Sequence, residues 1–180
     1  MTGPGGRSGG TATVTVDFLR RCFLALAVTA TVGTAVELAL IRHWTSATQL
    51  IPWYALGALA AGAVVLVAKP RPVSVRAVRV LAVLVVLTAL LGIYEHVLAN
   101  YNAAPLDFRY ESRWVTMSAG SRWWAAASES VGPSPTLAPA VLAQAAVCLL
   151  LATLGHPALA SGTAASDQRT RSAAKASSSR

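Results

Sequence analysis

From Cys22 to Ile41 the chain runs for 20 residues with a single charged side chain, Glu37. A helix of that length rises about 30 Å, the thickness of a bilayer's hydrocarbon core, and it satisfies its own backbone hydrogen bonds, as lipid demands. Three further stretches have the same character, at 50–68, about 80–99 and about 136–155. With 54% hydrophobic and 12% charged residues, the sequence is too apolar and too sparsely charged for an ordinary water-soluble domain. The first run, at 22–41, exceeds the apolar stretch of a secretory signal peptide, about 15 residues at most, so it reads as a retained span.

The expected fold is therefore all-α, a four-transmembrane-helix bundle over residues 20–157 with disordered cytoplasmic tails at 1–19 and 158–180. Gly and Thr dominate the first tail, and Ser, Ala, Lys and Arg the second; neither carries enough apolar surface to order itself. Lys69, Pro70, Arg71 and Pro72 cannot continue a helix and form the hairpin between spans two and three. Residues 100–135 are polar and form an external loop between helices 3 and 4, in which Arg122, Trp123 and Trp124 followed by three alanines predict a short interfacial helix.

Charge sets the expected orientation. Of the 15 Lys and Arg residues, eleven fall on the side of the two tails and the Lys69–Pro72 turn, and four (Arg42, Arg109, Arg113 and Arg122) on the other. The positive-inside rule then puts both termini in the cytoplasm. The net charge of +8 flanks apolar runs and forms no basic stripe with interleaved aromatics, so nucleic acid is not an expected partner. Cys22 and Cys148 lie within apolar runs, without the spacing of a redox or zinc motif, and read as small packing residues.

Helices in lipid associate through small residues that let backbones approach. Each run carries such a stripe: Ala25, Thr29, Gly33 and Glu37 in the first; Gly57 and Ala61, beside Ala58 and Gly62, in the second; Thr88, Gly92, His96 and Asn100 in the third; Ala140, Gln144, Cys148 and Ala152 in the fourth. Glu37, His96 and Gln144 share these stripes and are expected to face the bundle interior. With Glu95 they form a candidate polar site in the outer leaflet.

Two readings of that site stay open. In one, Glu37, His43 and His96 bind a metal or relay a proton, or His43 and His96 hold a haem. In the other, Glu37 pairs with His96 or Arg42 to fix helix register and Glu95 reaches headgroup water. Glu95 and His96 are adjacent, roughly 100° apart around a helix, so they cannot both face one neighbour. Trp44, Trp53, Tyr94, Tyr101, Trp123 and Trp124 are the expected interfacial anchors.

The run Glu37, Leu38, Arg42, His43, Trp44, Gln49, Leu50, Ile51, Pro52 and Trp53, then Gly92, Tyr94, His96 and Asn100, then Leu137, Ala138, Pro139, Gln144, Gly155, His156 and Pro157 resembles an uncharacterised family of small bacterial four-helix integral membrane proteins. The resemblance covers residues 20–160 and implies the same four-span bundle. It implies no activity and assigns no site.

No nucleophile, base and orienting partner occur together, and no glycine-rich phosphate loop is present, which argues against enzyme chemistry of the soluble kind. A channel would need a polar path through both leaflets, and the inner halves of the runs are apolar apart from Thr29 and Thr88. The expectation is a multi-pass plasma-membrane protein acting as a non-catalytic accessory or scaffold subunit, partnered by the lipid bilayer and by another membrane protein or its own copies. The alternative is an outer-face metal- or haem-binding redox protein using Glu37 and His96.

Overall fold

Helix α1, Ser8–Leu40, begins well before the apolar run, so residues 8–19, expected to belong to a tail, are helical. Propagating a helix that already exists costs little per residue, and tertiary contacts outweigh the weak propensity of Gly and Thr here. Asp17 pairs with Arg20 at 2.9 Å one turn on, and Val16 lies against Gly155, far along the sequence, where an added Cβ would sit 3.2 Å from Val16 Cγ1. The computed structural model describes residues 8–68 and 71–159; the expected tails at 1–7 and 160–180, and Lys69 and Pro70 of the basic turn, lie outside the described residues.

Ser46, in extended conformation, accepts the Gln49 amide hydrogen and caps α2, Ala47–Val67. Arg71 is extended before Pro72, which opens α3, Pro72–Ala103, at a position where a missing amide hydrogen leaves nothing unpaired. A single 3-10 turn, Ala104–Leu106, leads into the loop, which contains α4, Ala119–Ala127, capped by Ser118. The last described helix of any length is α5, Ala138–Leu151. Among the described residues there is no strand, and α1, α2 and α3 are each long and apolar enough to cross a membrane.

Helix α5 is shorter than the run at 136–155 suggested, starting two residues later and stopping four earlier. Pro133 and Pro135 delay its start, and Gly155, with φ of 59°, bends the chain away just before His156 and Pro157. Fourteen residues rise only about 21 Å, short of a hydrocarbon core of about 30 Å. Its ends leave backbone groups without helical partners, and the protein supplies partners at both.

The helices pack α1 on α2, α2 on α3, α3 on α5 and α5 back on α1, and α5 also reaches α2. This puts α1 and α3 on a diagonal, with α5 wedged between its neighbours. The core is alanine-rich and tight: Ala27, Ala63, Ala89, Ala145, Ala146 and Leu149 are among its buried members. Gly62 is where α2 comes closest, since a Cβ there would lie 3.0 Å from Leu149 Cδ2 and 3.5 Å from Val78 Cγ1. A second, separate core lies beneath α4, built from Ala104, Trp114, Ala125, Ala126 and Val131 against Val97 and Tyr101 of α3.

Candidate functional site

The polar side chains with defined work gather at the two ends of α5. At its start, Asn100 is fully buried on α3. Its Nδ2 donates to the Ala126 carbonyl at 3.2 Å and to the Ser134 carbonyl at 2.8 Å, while its Oδ1 accepts the Ser134 amide hydrogen at 2.8 Å. One carboxamide thus ties the end of α4 and the irregular segment 128–137 to α3. Gly132 makes the approach possible: its φ is 78°, and a Cβ there would come within 2.5 Å of Asn100 Cα.

Glu129 and His96 satisfy the rest of that segment. Glu129, itself at φ of 58°, accepts from the Thr136 amide at 2.7 Å and from the Thr136 hydroxyl at 2.9 Å. These two bonds, the hydroxyl's first, hold its carboxyl below the ordinary range, so it works as an anion. The Nδ1 of His96 lies 2.8 Å from the Pro135 carbonyl, one turn of α3 below Asn100; a proton on Nδ1 makes it the donor. Irregular backbone beside an apolar span is tolerated where its groups are paired in this way.

At the other end, α5 leaves carbonyls without amide partners, and two arginines from different helices meet them. Arg20 of α1 donates through Nε to the Ala152 carbonyl at 3.2 Å. Arg79 of α3 donates through Nε to the Thr153 hydroxyl at 2.8 Å and through Nη2 to the Thr153 carbonyl at 2.9 Å. His156 is buried beside them, and its Nδ1 accepts the Ala158 amide hydrogen at 3.2 Å. Burial, then the charges of Arg20 and Arg79, push its pKa down, so the ring is held neutral.

The expected outer-leaflet site is not assembled in this form. Glu37, Glu95 and Gln144 are exposed, whereas His96 is half-buried and bound to the Pro135 carbonyl. The reason for Glu37 is helical phase: α1 buries Ala27, Thr31 and Thr34, and Ala25 is two residues from Ala27, roughly 200° around the helix, so the stripe ending at Glu37 faces outward. Gln144 lies with Val141 and Val147 on the outer face of α5, because Leu142, Ala145, Ala146 and Leu149 fill the inner one. Glu37 and His96 also belong to the diagonal helices.

Burial first, and repulsion from His96 second, lower the pKa of His43. Among the described residues, no three His, Cys, Asp or Glu side chains come together as a metal-binding group. Gly92, on the stripe of α3, does face α5, since a Cβ there would meet Pro139 at 3.1 Å.

The aromatic residues divide by role. Trp53 Nε1 donates to the His43 carbonyl at 2.7 Å and, with Trp44 at 6.0 Å between rings, pins the α1–α2 loop. Tyr101, packed against the second core, meets the edge of the buried Trp114 at 5.2 Å and has the exposed Trp123 ring at 4.7 Å. Tyr94 and Trp124 are exposed. Beside Trp124, Arg113 sits 4.0 Å over the Tyr110 ring and lines a shallow cavity of about 460 Å³.

Sequence reasoning counted Arg20 and Arg79 only as topology charges and gave Asn100 no role beyond its stripe. The available signal was a fourth apolar run interrupted by proline and glycine, whose open backbone ends require donors from neighbouring helices. Geometrically, these clusters clamp helices and hold carbonyls; they do not juxtapose a nucleophile with a base. No protein family, curated protein or solved structure matches the chain.

Proposed function

We propose that the chain is a multi-pass protein of the plasma membrane that crosses the bilayer four times with both ends in the cytoplasm, and that it is a non-catalytic accessory subunit, docking the outward face of α1 on a helix of another membrane protein. The observation that carries the docking is the α1 stripe: Ala25, Thr29, Gly33 and Glu37 are all exposed, and no other helix comes within 4 Å of where a Gly33 Cβ would be among the described residues. Of α1's most apolar 18-residue window only 11% is buried, against 33% for α2, so α1 has room for a further helix. Small residues four apart let such a helix come close, and it would offer Glu37 a partner in place of lipid.

The four-span topology is supported by the bias of basic residues and by the arginines at the end of α5. Arg20 and Arg79 belong near headgroups, and α5 ends where they do, so a shortened helix still finishes at the membrane surface. The docking is tested by placing a photo-crosslinking residue at Gly33 or, as a control, at exposed Leu84 of α3, and irradiating intact membranes. A protein adduct at Gly33 with only lipid adducts at Leu84 is expected. Lipid adducts alone at both positions would sink the docking.

A further inference from the structure

A cavity of about 400 Å³ opens at the Arg20 end of the bundle, between α1, the last turn of α2 and the end of α5. Its lining divides by chemistry. Asp17, Arg20 and Arg21 of α1 are charged, whereas Leu24 one turn further along α1, Leu66 and Val67 of α2 and Ala152 after α5 are apolar. Arg20 is fixed by Ala152 and Asp17 through Nε and Nη1, which leaves Nη2 with no partner among the described residues. Arg21 is exposed and has no hydrogen bond or ion pair among the described residues, so once Asp17 is set against Arg20 the cleft keeps one uncompensated positive charge. The apolar wall continues onto the outer surface of α2, where Val67 is 73% exposed.

A basic rim above an apolar wall matches a molecule with an anionic head and a hydrocarbon tail. We propose that this cleft holds one anionic phospholipid, its phosphate on Arg20 and Arg21 and an acyl chain along Leu24, Leu66 and Val67. Guanidinium groups pair with phosphate oxygens through charge-assisted hydrogen bonds, and basic pockets between spanning helices suit lipid headgroups. A zwitterionic lipid would bring its own cation toward Arg21, and a free phosphate would leave the apolar wall unused. The proposal rests on the helices crossing a bilayer and not on the accessory role of α1.

The test is native mass spectrometry of the purified full chain in neutral detergent, titrated with phosphatidylglycerol or phosphatidylcholine. The first phosphatidylglycerol is expected to bind at least about fivefold more tightly than phosphatidylcholine, the factor that corresponds to ~1 kcal/mol for one basic residue near the headgroups. Arg21→Ala should lose that preference, while Arg113→Ala, at the opposite end, should keep it. Val67→Trp, which fills the apolar side, should weaken binding of both lipids. Equal binding of the two lipids, or an Arg21→Ala variant that behaves like Arg113→Ala, would overturn the proposal. Displacement of phosphatidylglycerol by equimolar inorganic phosphate would also overturn it, by making the site one for a free anion. Failure of the bilayer crossing itself would appear separately, in topology labelling, and not in this titration.

Discussion

Replacing Asn100 by alanine removes three hydrogen bonds, and the cost follows from what is left behind. The Ser134 amide and carbonyl lose their partner at a point where Asn100 is fully buried. The Ala126 carbonyl keeps a second donor, the Glu129 amide at 3.4 Å, and is not counted. At ~1–3 kcal/mol for each stranded polar group, two groups give about 2–6 kcal/mol, and because Ser134 is only half-buried the lower part of that range applies, about 2–4 kcal/mol. For a chain of this size each kcal/mol moves the melting midpoint by about 2–4 °C, so Asn100→Ala should lose on the order of 10 °C.

Asn100→Asp separates donor loss from volume loss. It keeps the acceptor for the Ser134 amide but turns a carboxylate toward two carbonyls, so it should be at least as destabilising as alanine until acid protonates it. Thermal unfolding in detergent followed by tryptophan fluorescence reads both variants, since Trp114 and Trp123 both contact the neighbouring Tyr101. Hydrogen exchange should rise across 128–137 while α1 and α2 stay protected. An Asn100→Ala protein with the wild-type melting curve and unchanged exchange there would refute the clamp.

Arg79→Met removes both donors to Thr153 and should cost about 2–3 kcal/mol in detergent unfolding, since hydrogen bonds from charged groups contribute ~1.5–3 kcal/mol; exposed Arg76→Met should cost nothing measurable. His156 gives a pH dependence: the unfolded chain takes its proton near 6.5 and the folded chain only at lower pH, so its contribution is full above 6.5 and is lost as pH falls toward the depressed value. His156→Gln should flatten that part of the acid branch in melting midpoints taken against pH, and an unchanged slope would count against the buried neutral ring. Gly132→Ala should unseat segment 128–137, because its φ is 78° and its Cβ would overlap Asn100; Gly57→Ala, with nothing within 4 Å, should leave the melting midpoint unchanged or slightly raised.

The spans of α1, α2 and α3 were legible because uninterrupted apolar length is a strong signal and depends on no partner. The short helix around Trp123 and Trp124 was legible for a local reason, a clustered apolar face. The start of α3 was not: Pro72, assigned to the hairpin, opens the helix eight residues before the expected start at about 80, because a proline in the first turn leaves no amide unpaired. The inner faces were harder. In an alanine-rich helix, Ala25, Thr29 and Gly33 make as good a packing stripe as Ala27, Thr31 and Thr34, and only the positions of α2 and α5 decide which one is buried. The length of α5 and the work of Asn100, Glu129, Arg20 and Arg79 depend on contacts between segments distant in sequence. His96 bonding to Pro135, 39 residues away, is of the same kind. No periodicity in a single helix records such a contact.

The central claim is that α5, though short, completes a fourth crossing and returns the chain to the side from which it started. Impermeant maleimide labelling of single cysteines, Ser121→Cys in α4 and Ser178→Cys near the C-terminus, in a chain lacking Cys22 and Cys148, tests it most directly. Four crossings predict that Ser121→Cys is labelled on intact cells and Ser178→Cys only after permeabilisation. Labelling of both on intact cells would mean that α5 dips into the membrane and returns, leaving three crossings and contradicting the account.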